Sequence, residues 1–205
     1  MVGLRDRKKE ATRAALRDAA LRLALERGPD NVRVDDIAEA AGVSPRTYNN
    51  YFSSREQAII AAIIANRASR IAAAVSDRPA EVGLADAVID AVAGQYADPG
   101  HDDQAVMLIT STPALRAAYL DTVATIEEPL VDAIAERHPG VDRRTAEVLA
   151  AGVGAATRLA LRRWLDSATT PTSMQGFVIL AGSLPDLVRT TLTPLAPALD
   201  AAGRR

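Results

Sequence analysis

The 205-residue chain contains no cysteine, which excludes disulfide frameworks, thiol nucleophiles and thiolate zinc sites at once. Its two histidines, His101 and His138, supply too little for a nitrogen-rich metal cage, so neither a metal nor a cofactor is expected. Aromatic residues make up only 3% of the chain and runs of β-branched residues are scarce, which counts against sheets. Long apolar runs are also missing. The most apolar stretch, Ala58 to Ala65, falls far short of the roughly 18 residues that span a bilayer, and the charged start MVGLRDRKKE has no apolar run behind it. These absences predict a soluble, cytoplasmic protein with no membrane segment. Lysine occurs only at Lys8 and Lys9, a usage bias that carries no functional weight.

What is present points to helices. Hydrophobic residues make up 48% of the chain, enough for an ordinary core, and alanine, the strongest helix former, is about a fifth of it. The predicted fold class is all-α. The net charge of −2 hides an asymmetry: residues 1–55 carry a net +3 and the remainder a net −5. Eight arginines or lysines fall in the first 27 residues against four acidic residues, as suits a surface that approaches phosphates; a solvated helix face is the plainer alternative.

Apolar spacing at three and four residues predicts a helix from Asp6 to Arg27, carried by Ala15, Leu16, Ala19, Ala20, Leu23 and Ala24 and ended by Gly28-Pro29. A short helix follows from Val34 to Ala41, broken by Gly42. Another runs from Ser44-Pro45 to about Phe52, since serine caps and proline fits a first turn. Ser53 or Ser54, answered by Glu56 or Gln57, starts a helix that ends before Pro79. Further helices are predicted at 80–97, 103–110, 113–137, 143–167 and 173–193, with Pro129 and Pro185 expected to kink or split two of them.

The stretch Asp35 to Tyr48 is the most informative. Ala38 is small enough for a second helix to pack closely, Gly42 permits a left-handed turn, Val43 seals the corner, and Ser44-Pro45 restarts the chain as a helix. That is helix-turn-helix spacing, shared by structural hairpins. The run from Thr12 to Glu56, with Ala19-Ala20, Gly28, Asp36-Ile37-Ala38, Ala41-Gly42-Val43-Ser44, Tyr48, Tyr51-Phe52 and Ser54-Arg55-Glu56, resembles the N-terminal domain of the TetR family of transcriptional regulators. The resemblance implies a homodimeric, ligand-released repressor. A three-helix helix-turn-helix DNA-binding domain at 1–56 would be followed by a helical-bundle effector-binding and dimerisation domain at 57–205.

The family's roles transfer to matching residues. The third helix, opened by Ser44 and Pro45, would enter the major groove of operator DNA, with Arg46 offering a fork to guanine and Asn49 pairing with adenine. Thr47 and Tyr48 would touch a thymine methyl or a phosphate, and Tyr51 resembles the family tyrosine whose hydroxyl meets the DNA backbone. Phe52 is expected in the core. Arg55 would hold a phosphate together with the amides that open the fourth helix. Arg33 stands where many relatives carry a capping threonine; it cannot cap but can still reach a phosphate. Asn49 replaces a common aromatic residue, so the operator cannot be inferred from relatives.

Enzyme readings fare poorly. Gly152-Val153-Gly154 follows no strand and reads as close helix packing, His101-Asp102-Asp103 as a solvent loop, and Glu127-Glu128 as surface charge. In the C-terminal half, Met107 to Arg116 and Ala160 to Leu165 are similar to the family branch with acyl-CoA-like ligands, the mycofactocin regulators among them. The resemblance implies a small amphiphilic effector, an acyl-CoA for example. Candidate lining residues are Tyr96, Met107, Tyr119, Leu120, Val123 and Trp164, with Arg116, Arg162 or Arg163 as anion partners; ordinary core packing is the alternative for each. Dimerisation is expected through helices near 143–167 and 173–193.

Overall fold

A computed structural model describes residues 3–97, 108–109, 111–122, 127–169 and 183–204. Among the described residues ten α-helices and two short 3₁₀ turns are bounded, and no strand occurs. Backbone contacts divide the chain into two compact units, Met1–Asn66 with Asp103–Thr122, and Arg67–Asp102 with Val123–Arg205.

The first unit is built on α1, Leu4–Arg27. Leu16, Ala19, Ala20, Leu23 and Ala24 form its buried stripe, whereas Ala15 is exposed beside it. Gly28 ends the helix at φ 78°, and Asn31 Nδ2 donates to the carbonyl of Arg27 at 2.8 Å, satisfying one of the acceptors a helix end leaves over. After a 3₁₀ turn at Pro29–Asn31 come α2, Val34–Ala40, and α3, Pro45–Tyr48. The turn between them is a Schellman motif: Val43 N donates to Ala38 O at 2.9 Å and Gly42 N to Glu39 O at 3.0 Å, with Gly42 at φ 68°. A third helix running to Phe52 does not form as expected. It stops at Tyr48, because residues 49–51 tighten into turns that bring Phe52 into the core.

The fourth helix, α4, spans Arg55–Ser76 and passes from the first unit into the second. Ser54 Oγ caps it by accepting from Gln57 N at 3.1 Å, while Gln57 Oε1 reaches back to Ser53 N at 2.7 Å, a capping box shifted by one residue. Ile59, Ile60, Ile63, Ile64 and Ile71 are all buried, each burial contributing about 1.5–3 kcal/mol. With a mean hydropathy of 1.5, α4 is long and apolar enough to cross a bilayer, a property the Ala58–Ala65 stretch did not reveal. Yet 61% of its apolar window is buried inside the protein, as in a core helix.

In the second unit α5, Leu84–Gly94, begins where Asp200 Oδ1 accepts from Ala85 N at 3.1 Å. Within the expected helix 113–137 lie α6, Pro113–Thr122, in the first unit, and α7, Glu127–Arg137, in the second; residues 123–126 lie outside the described residues. Next come α8, Arg143–Thr169, and α9, Leu184–Leu192, capped by Ser183 with Pro185 in its first turn. Unforeseen in the sequence, a 3₁₀ turn at Thr193–Leu195 leads into α10, Ala196–Gly203. Helix α8 packs on α7 and α9, and α5 packs on α9 and α10. Arg137 sews the end of α4 by donating to the carbonyls of Val75, Arg78, Pro79 and Val82 at 2.5–3.4 Å.

An added Cβ at Gly42 would meet nothing within 4 Å, so only its positive φ restricts substitution. Gly42→Ala should therefore destabilise the first unit by roughly 1–2 kcal/mol and Gly42→Asn by less, because asparagine tolerates the left-handed region. Urea unfolding of the two variants checks the order.

Candidate nucleic-acid interface

Ser44 sets the geometry of α3. Its Oγ accepts from Thr47 N at 3.1 Å and lies 2.9 Å from Thr47 Oγ1, so both hydroxyls are committed to the cap while Ser44 and Pro45 remain exposed. The next turn presents Arg46, exposed and without an ion pair or hydrogen bond among the described residues, and Asn49, exposed at the C-cap of α3. Tyr51 is half-buried in the following turn and makes no side-chain hydrogen bond among the described residues. Arg33 is exposed at the N-cap of α2. It supplies no acceptor to that helix, but Asp36 Oδ2 accepts from its backbone N–H at 2.9 Å, so half of a capping box survives. That use of Asp36 was readable from its position three residues after Arg33.

Two residues do not fit their expected contacts. Tyr48 is wholly buried, its ring 5.9 Å from Phe52 and its hydroxyl donating to Ser54 O at 2.7 Å, so it packs the core and cannot touch a base or a phosphate. Burial, and then the charge of Glu56, push its hydroxyl far above the ordinary tyrosine range, which keeps it a neutral donor. Arg55 opens α4 as expected, but its guanidinium points inward. Nη1 donates to Asp30 O at 3.0 Å and Val32 O at 2.9 Å, Nη2 lies 3.4 Å from Asp30 Oδ1, and Nε donates to Glu56 Oε1 at 2.7 Å. The phosphate role expected of it is at odds with this commitment.

A basic strip flanks the motif. Arg5, Arg7, Lys8, Lys9 and Arg13 are exposed on α1, and the Arg13 guanidinium lies 5.6 Å above the Phe52 ring.

The effector candidates divide between the units. Arg116, Tyr119 and Leu120 lie on α6 in the first, Tyr119 buried and the other two half-buried. Tyr96 and Trp164, both half-buried, belong to the second, where the guanidinium of buried Arg67 stacks 4.6 Å from the Tyr96 ring. Arg162 and Arg163 are exposed. Met107, Val123 and the His101-Asp102-Asp103 loop lie outside the described residues. An open groove along α1, lined by Asp18, Leu21, Arg22, Leu25 and Glu26, and a cavity of about 330 Å³ bordered by Arg78, Glu136, Arg137 and His138 involve none of these candidates.

Residues 16–62 match the family described as "Bacterial regulatory proteins, tetR family", and residues 78–200 match the "MftR C-terminal domain". The Streptomyces glaucescens HTH-type transcriptional regulator TcmR is 37% identical over 150 residues, covering 68% of this chain and 66% of that regulator. BetI of Rhizobium meliloti (strain 1021) is 49% identical over 51 residues, a quarter of each chain. The crystal structure of the TetR-family repressor AlkX from Dietzia sp. strain DQ12-45-1b superposes over 93% of this chain and 96% of that one, with a TM-score of 0.50 at 18% identity. Fold, turn and matches together define a helix-turn-helix regulator. The chain belongs to the TetR family of bacterial transcriptional regulators.

The Glu56 carboxylate is subject to opposing effects. Burial pushes its pKa up, but hydrogen bonds from Arg55, its own backbone and Ser54, with the charge of Arg55, hold it net below the ordinary 4.5. Because the folded value is the lower, its contribution to stability is fully present above about pH 4.5 and is lost as pH falls through the folded value. Acid unfolding of Glu56→Gln should lack that part of the pH dependence seen in the wild type.

Proposed function

We propose that the protein is a cytoplasmic, homodimeric repressor that binds a two-fold related operator and is released from it by a small amphiphilic effector. The carrying observation is the exposed, uncommitted edge of the helix-turn-helix. Arg46 and Asn49 stand free at α3 while Ser44, Thr47 and Tyr48 are spent on holding that helix in place and Asp36 on capping α2. Arg46 reads a guanine by its fork and Asn49 an adenine, with Arg33 and Tyr51 on flanking phosphates. One motif per chain makes a dimer necessary for a two-fold site, its recognition helices spaced by about one DNA turn, roughly 34–36 Å.

Helix α8 supports the dimer. Val148 and Leu159 are 67% and 42% exposed, and with Ala155 they form one stripe that a lone subunit would leave in water. Residues 173–182 of the second helix expected at this interface lie outside the described residues. The effector class rests on the resemblance of the Met107–Arg116 and Ala160–Leu165 segments to the acyl-CoA-binding branch and on the MftR-type match of residues 78–200. An inducing ligand must bind the free protein better than the DNA complex, by a reciprocal factor of about 5–150.

Mobility shifts on the DNA upstream of the protein's own gene test the reading. A shifted complex that Arg46→Ala weakens by about 1–3 kcal/mol at mainly one base pair is expected; no shift at micromolar protein overturns it. Independently, Val148→Asp with Leu159→Asp should dissociate the dimer in sedimentation without unfolding it. Titration of acyl-CoAs of increasing chain length should release the operator while changing the fluorescence of Trp164, the single tryptophan.

A further inference from the structure

The family position that Arg55 occupies suggests a phosphate contact, yet its guanidinium is spent on the protein. We propose that Arg55 is a positioning residue: with Tyr48 it locks the helix-turn-helix to the first turn of α4, and operator affinity depends on that lock and not on a phosphate contact by Arg55. The assignment rests on the DNA-binding reading above.

A guanidinium has five N–H groups in a rigid fork. Four are directed at partners: one at Glu56 Oε1, two at the carbonyls of Asp30 and Val32, and one toward Asp30 Oδ1. A bidentate hold on a phosphate would require breaking this set. The partners matter as much as their number. Two are main-chain carbonyls of the segment that leads into α2, and Val32, fully buried, cannot shift without moving that segment. Arg55 thus ties the start of α2 to the start of α4.

A second tie comes from the other helix of the motif. The Tyr48 hydroxyl, at the last residue of α3, donates to the carbonyl of Ser54, the residue immediately before Arg55. Successive residues, 54 and 55, are therefore held by α3 and by the approach to α2. Two ties on different sides of one helix end remove the rotation that a single tie would permit. Slack at this joint would re-aim α3, and with it Arg46 and Asn49. Asp30 is exposed and its carboxylate contact is the longest at 3.4 Å, so the carbonyls, not the ion pair, carry the tie.

The experiment uses the full-length protein and an operator duplex found with the wild type. Affinity is measured across salt concentrations, with circular dichroism confirming that each variant is folded at the assay temperature. Arg55→Lys keeps the charge but loses the fork. It should weaken binding about 10-fold at all operator variants, with the wild-type slope of log K against log salt. Tyr48→Phe, whose buried ring cannot reach DNA, should weaken binding about 3- to 10-fold with the same unchanged slope. Asp30→Ala should change affinity less than about 2-fold.

Wild-type affinity in Arg55→Lys, with a slope lower by about one in Arg55→Gln, would identify a phosphate contact and overturn the proposal. Lowered melting temperatures with unchanged affinity in Arg55→Lys and Tyr48→Phe would reduce both residues to fold stability and overturn it equally. Absence of any wild-type complex would overturn the DNA-binding reading itself, and is thereby told apart from the failure of this assignment alone.

Discussion

Backbone carbonyls stranded where helices and turns end are the constraint around which this structure is arranged. Every helix end leaves acceptors without partners, and an alanine-rich chain has few small polar side chains to spare for them. Arginine fills the gap at both ends of α4. At its start Arg55 gathers the carbonyls of Asp30 and Val32, and at its other end Arg137 gathers that of Val75 in the last turn and those of Arg78, Pro79 and Val82 beyond it. A planar fork suits this work, because it satisfies several fixed acceptors with one charge that needs no deprotonation; an ammonium group has neither the span nor the directions.

Helix α4 can be so apolar because its ends are secured in this way. Its isoleucines supply burial to the unit that contains the helix-turn-helix, and the same helix continues into the other unit. The arrangement also explains the economy of the motif. Ser44, Thr47, Asp36 and Tyr48 are used up holding two short helices, seven and four residues long, which are far too short to be stable alone. Among the side chains left exposed on α3 and its C-cap, Arg46 and Asn49 are of the kind that reads base edges.

Much of this was legible in the sequence. Gly42 declared its left-handed turn, Ser44-Pro45 the start of α3, and Ser53-Ser54 the start of α4, because caps and turns depend on neighbours within a few residues. The failures share one physical cause. Whether Tyr48 faces solvent or the core, and whether Arg55 reaches outward or inward, is decided by residues 6 to 25 positions away, which local spacing does not encode. For Pro185 the ambiguity is of a different kind. A proline inside an apolar periodic run reads equally well as a kink or as a first turn, and only the cap at Ser183 distinguishes the two for Pro185.

The effector residues were the hardest to place, and the fold shows why. Tyr119 is buried and Tyr96 stacks on a buried arginine, environments in which a pocket wall and an ordinary core side chain have the same composition. Sequence can nominate amphipathic residues of either kind but cannot separate them. The DNA-facing half escapes this ambiguity because its ligand lies outside the protein. There, a polar side chain that neither caps a helix nor pairs with a neighbour stands out, and Arg46 does so beside Ser44, Thr47, Asp36, Ser53 and Glu56, whose side chains are already engaged.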